Sequence, residues 1–283
     1  MKRCVSVLGG DPRQLCLAEL FREEGHTVHT WGLAPPERER PLSQAAAGNL
    51  VILPQPVSPD GLHLSLGRGE LLLEDLWPML KGEDRVVLGG RIDPATKQSA
   101  QAAGVALTDY FQREELQVAN AVPTAEGAIA AAMAATDRTL QDCRCLVIGF
   151  GRIGKLLAHR LRGLAARVTV SARRYEHLAW IEALGYAPLR TDRLEGSIRP
   201  FHVIFNTVPA LILDRRLLEE VRPDCVVVDV ASAPGGVDFA AARELGITAL
   251  QELALPGRVA PLTAARAVRD AIYHILEERG ETI

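Results

Sequence analysis

The chain has 283 residues, of which 48% are hydrophobic, 24% charged and 5% aromatic, a composition typical of a globular protein with one or two domains. Its 32 basic and 35 acidic side chains give a formal net charge of −3, so the chain has no overall positive excess for a nucleic acid or an anionic membrane. The five cysteines form no Cys-x-x-Cys pair, and we predict neither a metal site, a signal peptide nor a membrane-spanning run of about 18 apolar residues. We therefore expect a cytoplasmic protein with reduced thiols.

Short apolar runs alternate along the chain with longer amphipathic stretches. Nine runs are predicted to be strands: 5–8, 27–31, 50–53, 85–88, 145–148, 167–171, 203–205, 225–229 and 247–250. Five stretches with apolar residues at intervals of three and four are predicted to be helices: 15–24, 153–164, 177–184, 213–221 and 239–245. Such alternation is typical of parallel sheets covered on both faces. We therefore predict an α/β protein with two doubly wound, parallel-sheet, Rossmann-like domains joined by a long helix.

The domain limits follow from an Ala-rich segment, residues 114–139, which is predicted to form the long helix. The predicted order is an N-terminal substrate and catalytic domain, a linking helix, a dinucleotide-binding domain and a C-terminal helix that packs back on the first domain: 1–115, 116–139, 140–262 and 263–283. Residues 33–47, which include the sequence PPERERP, are predicted to form a solvated loop.

Residues 145–164 combine an apolar strand, three spaced glycines and an amphipathic helix. Gly149 permits a tight turn, Gly151 lets the backbone approach a pyrophosphate, and Gly154 lets the helix pack closely on the strand. The helix N-terminus offers amide groups and the positive end of its dipole to an anion. The pattern predicts a dinucleotide site, with a glycine-rich turn that binds nothing as the alternative. The intervening residues belong to the same predicted site: Phe150, Arg152 and Ile153.

The end of the next predicted strand indicates which dinucleotide binds. Enzymes that use NAD usually hold the ribose 2′-hydroxyl with an acidic residue at this position, where this chain has Ser171, Arg173 and Arg174. Guanidinium groups donate paired hydrogen bonds to phosphate oxygens, so these residues suit the 2′-phosphate of NADP. We predict NADP as the cofactor, with NAD as the alternative. The structural alternative is that both arginines are solvated residues at a helix start.

Two segments after later strands complete the predicted cofactor site. Open α/β sheets bind ligands beyond the carboxyl ends of their strands. Turn formation, which Asn, Pro and Asp favour, is the alternative role for both segments. The predicted contacts are Asn206, Thr207, Val208 and Pro209 after one strand and Asp229, Ala231 and Ser232 after the next.

Seven segments make the chain similar to a known family: GGDPRQ at 9–14, NAVPTAEG at 120–127, GFGRIG at 149–154, HLA at 177–179, NTVPA at 206–210, DVASAPGGVDF at 229–239 and LPGRVAP at 255–261. With these segments the chain resembles, over nearly its whole length, the A subunit of dipicolinate synthase from spore-forming bacteria. The resemblance implies oxidation of dihydrodipicolinate to dipicolinate, which is pyridine-2,6-dicarboxylate, with a nicotinamide cofactor. It also implies that the partner is a flavoprotein-like B subunit and that the location is the mother-cell cytoplasm. A homo-oligomer is expected. The chain departs from the family pattern at Leu262, where a lysine is common, and at Ala265, where a glycine is common.

Oxidation of the dihydropyridine ring removes a hydride and a proton, so the site needs groups that orient the ring, hold two carboxylates and accept a proton. Arginines near strand ends are suited to the carboxylates. The predicted substrate-binding residues are Arg13, Arg91, Gly257 and Arg258. Each arginine has the alternative of an ordinary surface position.

Three residues are candidates for the catalytic groups. Glu126 is predicted to be the general base, and Thr124 is predicted to donate a hydrogen bond to a substrate carboxylate. Their alternative role is to start and cap the long helix. Asp11 is a rival base, and its alternative role is an N-cap.

Two other functions stay open on the sequence alone. One is a 2-hydroxy-acid or amino-acid dehydrogenase of the same architecture. Oxidation of a hydroxy acid needs a His-carboxylate pair near the last strands, and none of the seven histidines lies between residues 229 and 261, which disfavours that activity. The other is a non-catalytic, NADP-binding regulatory protein.

Overall fold

The computed structural model describes residues 2–33 and 40–281 of the chain. The chain divides into two compact units, one formed by Met1–Asn120 with Ala260–Ile283 and the other by Ala121–Val259. Each unit contains one parallel sheet with helices on both faces, so the predicted α/β class with two Rossmann-like domains is confirmed. No helix among the described residues is long and apolar enough to cross a lipid bilayer.

The first unit contains a five-stranded parallel sheet with the spatial order β2-β1-β3-β4-β5. Its strands are β1 (Cys4–Leu8), β2 (Thr27–Trp31), β3 (Leu50–Ile52), β4 (Val86–Gly89) and β5 (Leu107–Asp109). Its helices are α1 (Pro12–Glu23), α2 (Leu42–Ala45), α3 (Leu73–Leu80), α4 (Pro94–Ala102), the start of α5 (Glu114–Ala135), and α11 (Pro261–Glu278). The strand order reverses between β1 and β3, which places a ligand-binding crevice beyond the carboxyl ends of these strands.

The second unit contains a six-stranded parallel sheet with the order β11-β10-β9-β6-β7-β8, the arrangement of a dinucleotide-binding Rossmann fold. Its strands are β6 (Arg144–Ile148), β7 (Arg167–Ala172), β8 (Ala187–Arg190), β9 (Val203–Asn206), β10 (Val226–Asp229) and β11 (Thr248–Gln251). Its helices are the rest of α5, α6 (Arg152–Gly163), α7 (Tyr175–Ala183), α8 (Arg215–Leu218), α9 (Phe239–Glu244) and α10 (Leu255–Val259). Here the order reverses between β6 and β9.

The strands are apolar on both sides because both faces of each sheet are covered. In β6, Cys145 and Val147 belong to the apolar cluster on one face, and Leu146 and Ile148 belong to the cluster on the other. In the first unit, α11 packs against α1 and completes one of the two clusters. Its contribution consists of Ala265, Val268, Ala271, Ile272, Ile275 and Leu276.

Several elements differ from the predicted pattern. β5 has three residues and β8 contains Pro188, so neither presents the apolar run that identifies the other strands. The sequence pattern also misses α3, α4 and α10, and the helix predicted at 213–221 is shorter, at Arg215–Leu218. Within the predicted loop 33–47, the short helix α2 is present, and residues 34–39 lie outside the described part of the chain.

Candidate functional site

The turn between β6 and α6 has the backbone geometry of a dinucleotide-binding turn. Gly149 has a φ of 102°, in the region that favours glycine, and a Cβ added there would lie 2.4 Å from Thr207 Oγ1. A Cβ at Gly154 would lie 2.1 Å from the Gly149 carbonyl oxygen. A Cβ at Gly151, in contrast, would meet no atom of the described residues within 4 Å. Two glycines therefore permit close packing, and the third leaves open space beside the turn.

The start of α6 is suited to an anion because its N-cap residue supplies no side chain to close it. Gly151 is the N-cap residue and has no side chain to accept from the first-turn amides. Those amides have no partners within the helix, and the helix dipole adds partial positive charge at the same end. Gly151, Arg152 and Ile153 are at least partly exposed there. These residues fit the pyrophosphate of a dinucleotide.

The end of β7 carries two exposed arginines and one buried hydroxyl. Arg173 and Arg174 are exposed, and Arg174 Nη1 lies 2.7 Å from the Glu176 carboxylate. α7 begins directly after Arg174 and has no side-chain cap. Ser171 is fully buried, and its hydroxyl accepts a hydrogen bond of 3.2 Å from Thr191. Both arginines are therefore at the surface beside an uncapped helix start, with Arg174 in an exposed ion pair, whereas Ser171 joins β7 to the segment after β8.

Asn206 and Asp229, at the ends of β9 and β10, are fully buried. Asn206 Nδ2 donates to Asp229 Oδ1 at 2.8 Å and to the Val208 carbonyl oxygen at 2.9 Å, while the Val208 amide donates to Asn206 Oδ1 at 3.2 Å. The Asp229 carboxylate also accepts from the amides of Ala231 at 3.1 Å and Gly236 at 2.8 Å. Both side chains are occupied within the protein, which favours the turn-forming alternative for them.

The other residues predicted in this region have different surroundings. Thr207 is half-buried, and its hydroxyl donates to the Ile148 carbonyl oxygen at 2.9 Å. Pro209 and Ser232 are exposed, whereas Ala231 is buried. Phe150 belongs to the apolar core, where the Lys155 ammonium lies 5.3 Å from its ring centroid and His177 lies at its edge.

In the first unit, a cleft of about 460 Å³ lies beyond the carboxyl ends of the strands. It is lined by residues 10–12 after β1, residues 32 and 33 after β2, residues 54–56 after β3, Leu15 on α1, and residues 65–67. Asp11 is therefore a lining residue of the cleft. The position matches the ligand crevice expected from the strand order.

Asp11 is held in place by Arg13 and by the start of α1. The Arg13 side chain is only 9% exposed and contacts two lining residues, through Nη2 to Asp11 Oδ2 at 2.6 Å and to the Gln55 carbonyl oxygen at 2.9 Å. Asp11 also accepts from the Arg13 amide at 2.9 Å, and the Asp11 amide donates to Gln14 Oε1 at 3.2 Å. These bonds form a capping box. The start of α1 is therefore closed by side chains, whereas the start of α6 is open.

Arg91 follows β4 and has an unusual backbone. Its φ is 52°, a strained value for a residue with a side chain. The Asp109 carboxylate, at the end of β5, accepts from the amides of Arg91 and Ile92, both at 3.0 Å, and so fixes this turn. The Arg91 side chain is exposed. Asp109 is not recognisable from the sequence pattern because β5, which ends at this residue, has no apolar run of its own.

The predicted residues of the long helix have contacts that favour structural roles. α5 begins at Glu114, so the interpretation of Thr124 and Glu126 as its start is wrong. The Glu126 side chain is 60% exposed, and its Oε1 accepts from Arg160 Nε at 3.1 Å. Arg160 lies eight residues after the first residue of α6. This pair is therefore roughly 12 Å along the helix from the open turn, the glycine turn at residues 149–154. Thr124 is half-buried.

The remaining candidates lie on α10. Arg258 Nη1 lies 2.7 Å from the Glu252 carboxylate and contacts the Leu253 carbonyl oxygen. Gly257 is buried. α10 packs closely on α5, since a Cβ at Gly127 would lie 2.9 Å from a methyl group of Leu255.

Comparison with known proteins gives matches to both halves of the chain. Residues 4–111 match the family described as the N-terminal domain of the dipicolinate synthase A subunit, and residues 138–242 match an NAD(P)-binding family. The second match supports a nicotinamide cofactor in the unit that contains the open turn.

Individual relatives match the chain over almost its full length. The A subunit of dipicolinate synthase from Bacillus subtilis (strain 168) is 31% identical over 97% of this chain and 96% of the relative. Crystal structures of the same protein superpose with a TM-score of 0.84 for Bacillus halodurans (28% identity, 97% of each chain) and 0.83 for Bacillus subtilis (30% identity, 98% of this chain and 97% of that one). The chain therefore belongs to the family of dipicolinate synthase A subunits.

Proposed function

We propose that this protein oxidises dihydrodipicolinate to dipicolinate and that it uses NADP in preference to NAD. The observation that carries the proposal is the open turn at residues 149–154, within a chain related over 97% of its length to the A subunit of dipicolinate synthase. The reaction removes one hydride and one proton from the dihydropyridine ring and leaves an aromatic dicarboxylate.

The second unit provides the cofactor site. The backbone of residues 149–154 binds the pyrophosphate, and Arg173 and Arg174 bind the 2′-phosphate. Thr207 and Val208 form the neighbouring wall, since both contact the space beside Gly149. When bound, the nicotinamide supplies the hydride acceptor.

The first unit provides substrate contacts. Asp11 lines the cleft and accepts the proton that leaves the ring, and Arg13 holds the Asp11 carboxylate in one orientation. Arg91, whose backbone is fixed by Asp109, binds a substrate carboxylate. Glu126 is the alternative base, but its pairing with Arg160 makes Asp11 the better supported residue. Arg13 therefore has a positioning role in place of the direct substrate contact predicted from the sequence.

The family supports a further part of the proposal, a partner polypeptide. The relatives are A subunits of their enzyme, which supports a second, different polypeptide, the B subunit, in partnership with this chain. We also propose a homo-oligomer and a cytoplasmic location in a sporulating cell.

The direct test incubates the purified protein with freshly generated dihydrodipicolinate and NADP, with and without the B subunit. We expect the absorbance of the reduced cofactor and that of dipicolinate to rise together, and we expect Asp11→Asn to abolish both increases. Tight NADP binding without turnover in either mixture would favour the regulatory alternative. Turnover of a simple 2-hydroxy acid or amino acid with NADP, in place of dihydrodipicolinate, would favour the dehydrogenase alternative.

A further inference from the structure

We infer that Asp229 and Asn206 are positioning residues of the dinucleotide site, which fix the loop at residues 207–211 against the glycine turn without contacting the ligand themselves. The inference rests on the proposed binding of a nicotinamide dinucleotide at residues 149–154. It differs from the sequence interpretation, in which both side chains contact the cofactor.

The Asp229–Asn206 pair is completely buried. Asp229 and Asn206 have no exposed surface, and a buried carboxylate is tolerated only where hydrogen bonds replace the lost water. Three donors surround the Asp229 carboxylate: the Asn206 amide group and the backbone amides of Ala231 and Gly236. A ligand cannot reach these oxygens unless the loop opens.

The hydrogen-bond network around Asp229 holds both ends of the loop at residues 207–211. At the near end, the Asn206 side chain bonds both the amide and the carbonyl oxygen of Val208. At the far end, the Gly236 carbonyl oxygen accepts from the amides of Ile212 at 3.0 Å and Leu213 at 2.9 Å. Gly236 is itself bonded to Asp229 through its amide. One carboxylate is therefore bonded to both of the residues that hold the ends of the loop.

The same loop forms a wall of the glycine turn at residues 149–154. A Cβ at Gly149 would lie 2.4 Å from Thr207 Oγ1 and 3.0 Å from Val208 Cγ2. The Thr207 hydroxyl also bonds the carbonyl oxygen of Ile148, the last residue before the turn. A small displacement of the loop therefore changes the space in which the pyrophosphate would lie.

The tight packing around Gly236 is independent evidence that Asn206 and the loop have little room to move. A Cβ at this position would lie 2.2 Å from Asn206 Nδ2 and 2.7 Å from the Val208 carbonyl oxygen. Any larger residue would push the Asn206 amide group away from Asp229 and from the loop. The variant Gly236→Ala therefore disturbs the network without changing either polar side chain.

The test compares two ligands in Asp229→Asn, where an amide group must replace one acceptor oxygen. NADPH binding is followed by its fluorescence, and 2′-phospho-ADP-ribose, which lacks the nicotinamide, is measured by competition. If the loop is displaced, the affinities for both ligands fall by the same factor, about tenfold for the loss of a buried charged hydrogen bond. A larger effect on NADPH alone would mean that Asp229 contacts the nicotinamide, and unchanged affinity for both would mean that the loop does not depend on the network. Either result would overturn the inference.

Two further variants separate positioning from general destabilisation. Ile198→Val shortens a fully buried side chain of the same unit and is expected to lower the melting temperature without changing either dissociation constant. If it weakens both ligands as Asp229→Asn does, the positioning role is wrong. Gly236→Ala is the second test of the network if Asp229→Asn does not fold, and it is expected to give the same equal weakening. Failure of the unmodified protein to bind these two ligands and NADH as well would overturn the proposed function, and this inference with it.

Discussion

The Asp11–Arg13 pair is the feature of the first unit that best explains how a single side chain is oriented in the cleft. Arg13 donates from both Nε and Nη2 to the Asp11 carboxylate, in the paired geometry that a guanidinium provides and an ammonium does not. We expect Arg13→Lys to lower kcat about ten- to a hundredfold, from the loss of one charge-assisted hydrogen bond and the freedom that Asp11 gains. Steady-state kinetics on dihydrodipicolinate measures this change.

The matched control is Arg22→Lys, on the same helix, where the arginine pairs with Glu19 at the surface. This substitution is expected to leave kcat unchanged because exposed pairs contribute little. Full activity of Arg13→Lys would show that the orientation of Asp11 does not matter to the reaction.

Arg173 and Arg174 decide cofactor preference if the 2′-phosphate lies at the end of β7. We expect alanine at either position to raise the KM for NADP about tenfold and to leave the KM for NAD unchanged, since only NADP carries that phosphate. Arg167→Ala, at the opposite end of the same strand, is the control and should change neither value. An equal rise of the KM values for NADP and NAD in the Arg173 and Arg174 variants would refute the NADP assignment.

Local patterns predict residues whose roles depend on the backbone, and they miss roles that depend on distant partners. The three glycines have the geometry that their spacing predicts, because the constraint lies within one turn. The burial of Asp229 depends on Asn206, which is 23 residues away and reaches it only through the pairing of β9 with β10. No pattern within either segment contains that information.

At the scale of elements, α11 is attached to the first unit by apolar packing and by a polar network around His26. The Arg3 amide donates to His26 Nδ1 at 3.2 Å, and His26 Nε2 lies 3.2 Å from Tyr273 Oη. The Tyr273 hydroxyl donates to Glu24, which also pairs with Arg269 at 2.8 Å. Because Nδ1 accepts a hydrogen bond, the ring is neutral with its proton on Nε2.

Burial lowers the pKa of His26 below its ordinary value of 6.5. As the pH drops below 6.5, His26 is protonated more readily in the unfolded chain than in the folded chain. The free energy of unfolding therefore falls as the pH drops below 6.5. His26→Gln keeps an acceptor and a donor but does not titrate, and we expect a shallower fall in this variant, measured by chemical denaturation across the pH range. The same slope in both proteins would show that His26 does not contribute. His29 and His202, whose pKa values are also lowered by burial, remain in both proteins and supply the common background slope.

The elements that the sequence predicts well are those with a long periodic pattern. The C-terminal helix, predicted over 263–283, is observed as Pro261–Glu278 because its apolar residues repeat along one face. β8 is an edge strand with two exposed residues, and α3 has Pro78 inside it. In both cases tertiary contacts determine the structure, although the local sequence does not favour a strand or a helix there.

At the scale of the whole molecule, each unit has its own apolar clusters, so a ligand of one unit is expected to act on that unit. A dinucleotide at one hundred times its dissociation constant stabilises the bound state by about 2.7 kcal/mol, or roughly a hundredfold. We expect hydrogen exchange, read by mass spectrometry, to slow by up to this factor in peptides from residues 121–259 and to stay unchanged in those from 2–33 and 40–120. Protection confined to the first unit would show that the dinucleotide does not bind to the second unit.

The two helix starts also set how many dinucleotides one chain binds. Both units have a glycine-containing turn after their first strand, but Asp11 and Gln14 already occupy the amides of α1, whereas Gly151 leaves those of α6 open. We expect isothermal titration calorimetry to give one NADPH per chain. Gly151→Asp adds the same kind of capping carboxylate to α6 and should abolish binding while the helix stays folded. A carboxylate cap of the kind that stabilises α1 would thus, at the start of α6, block the binding of the dinucleotide.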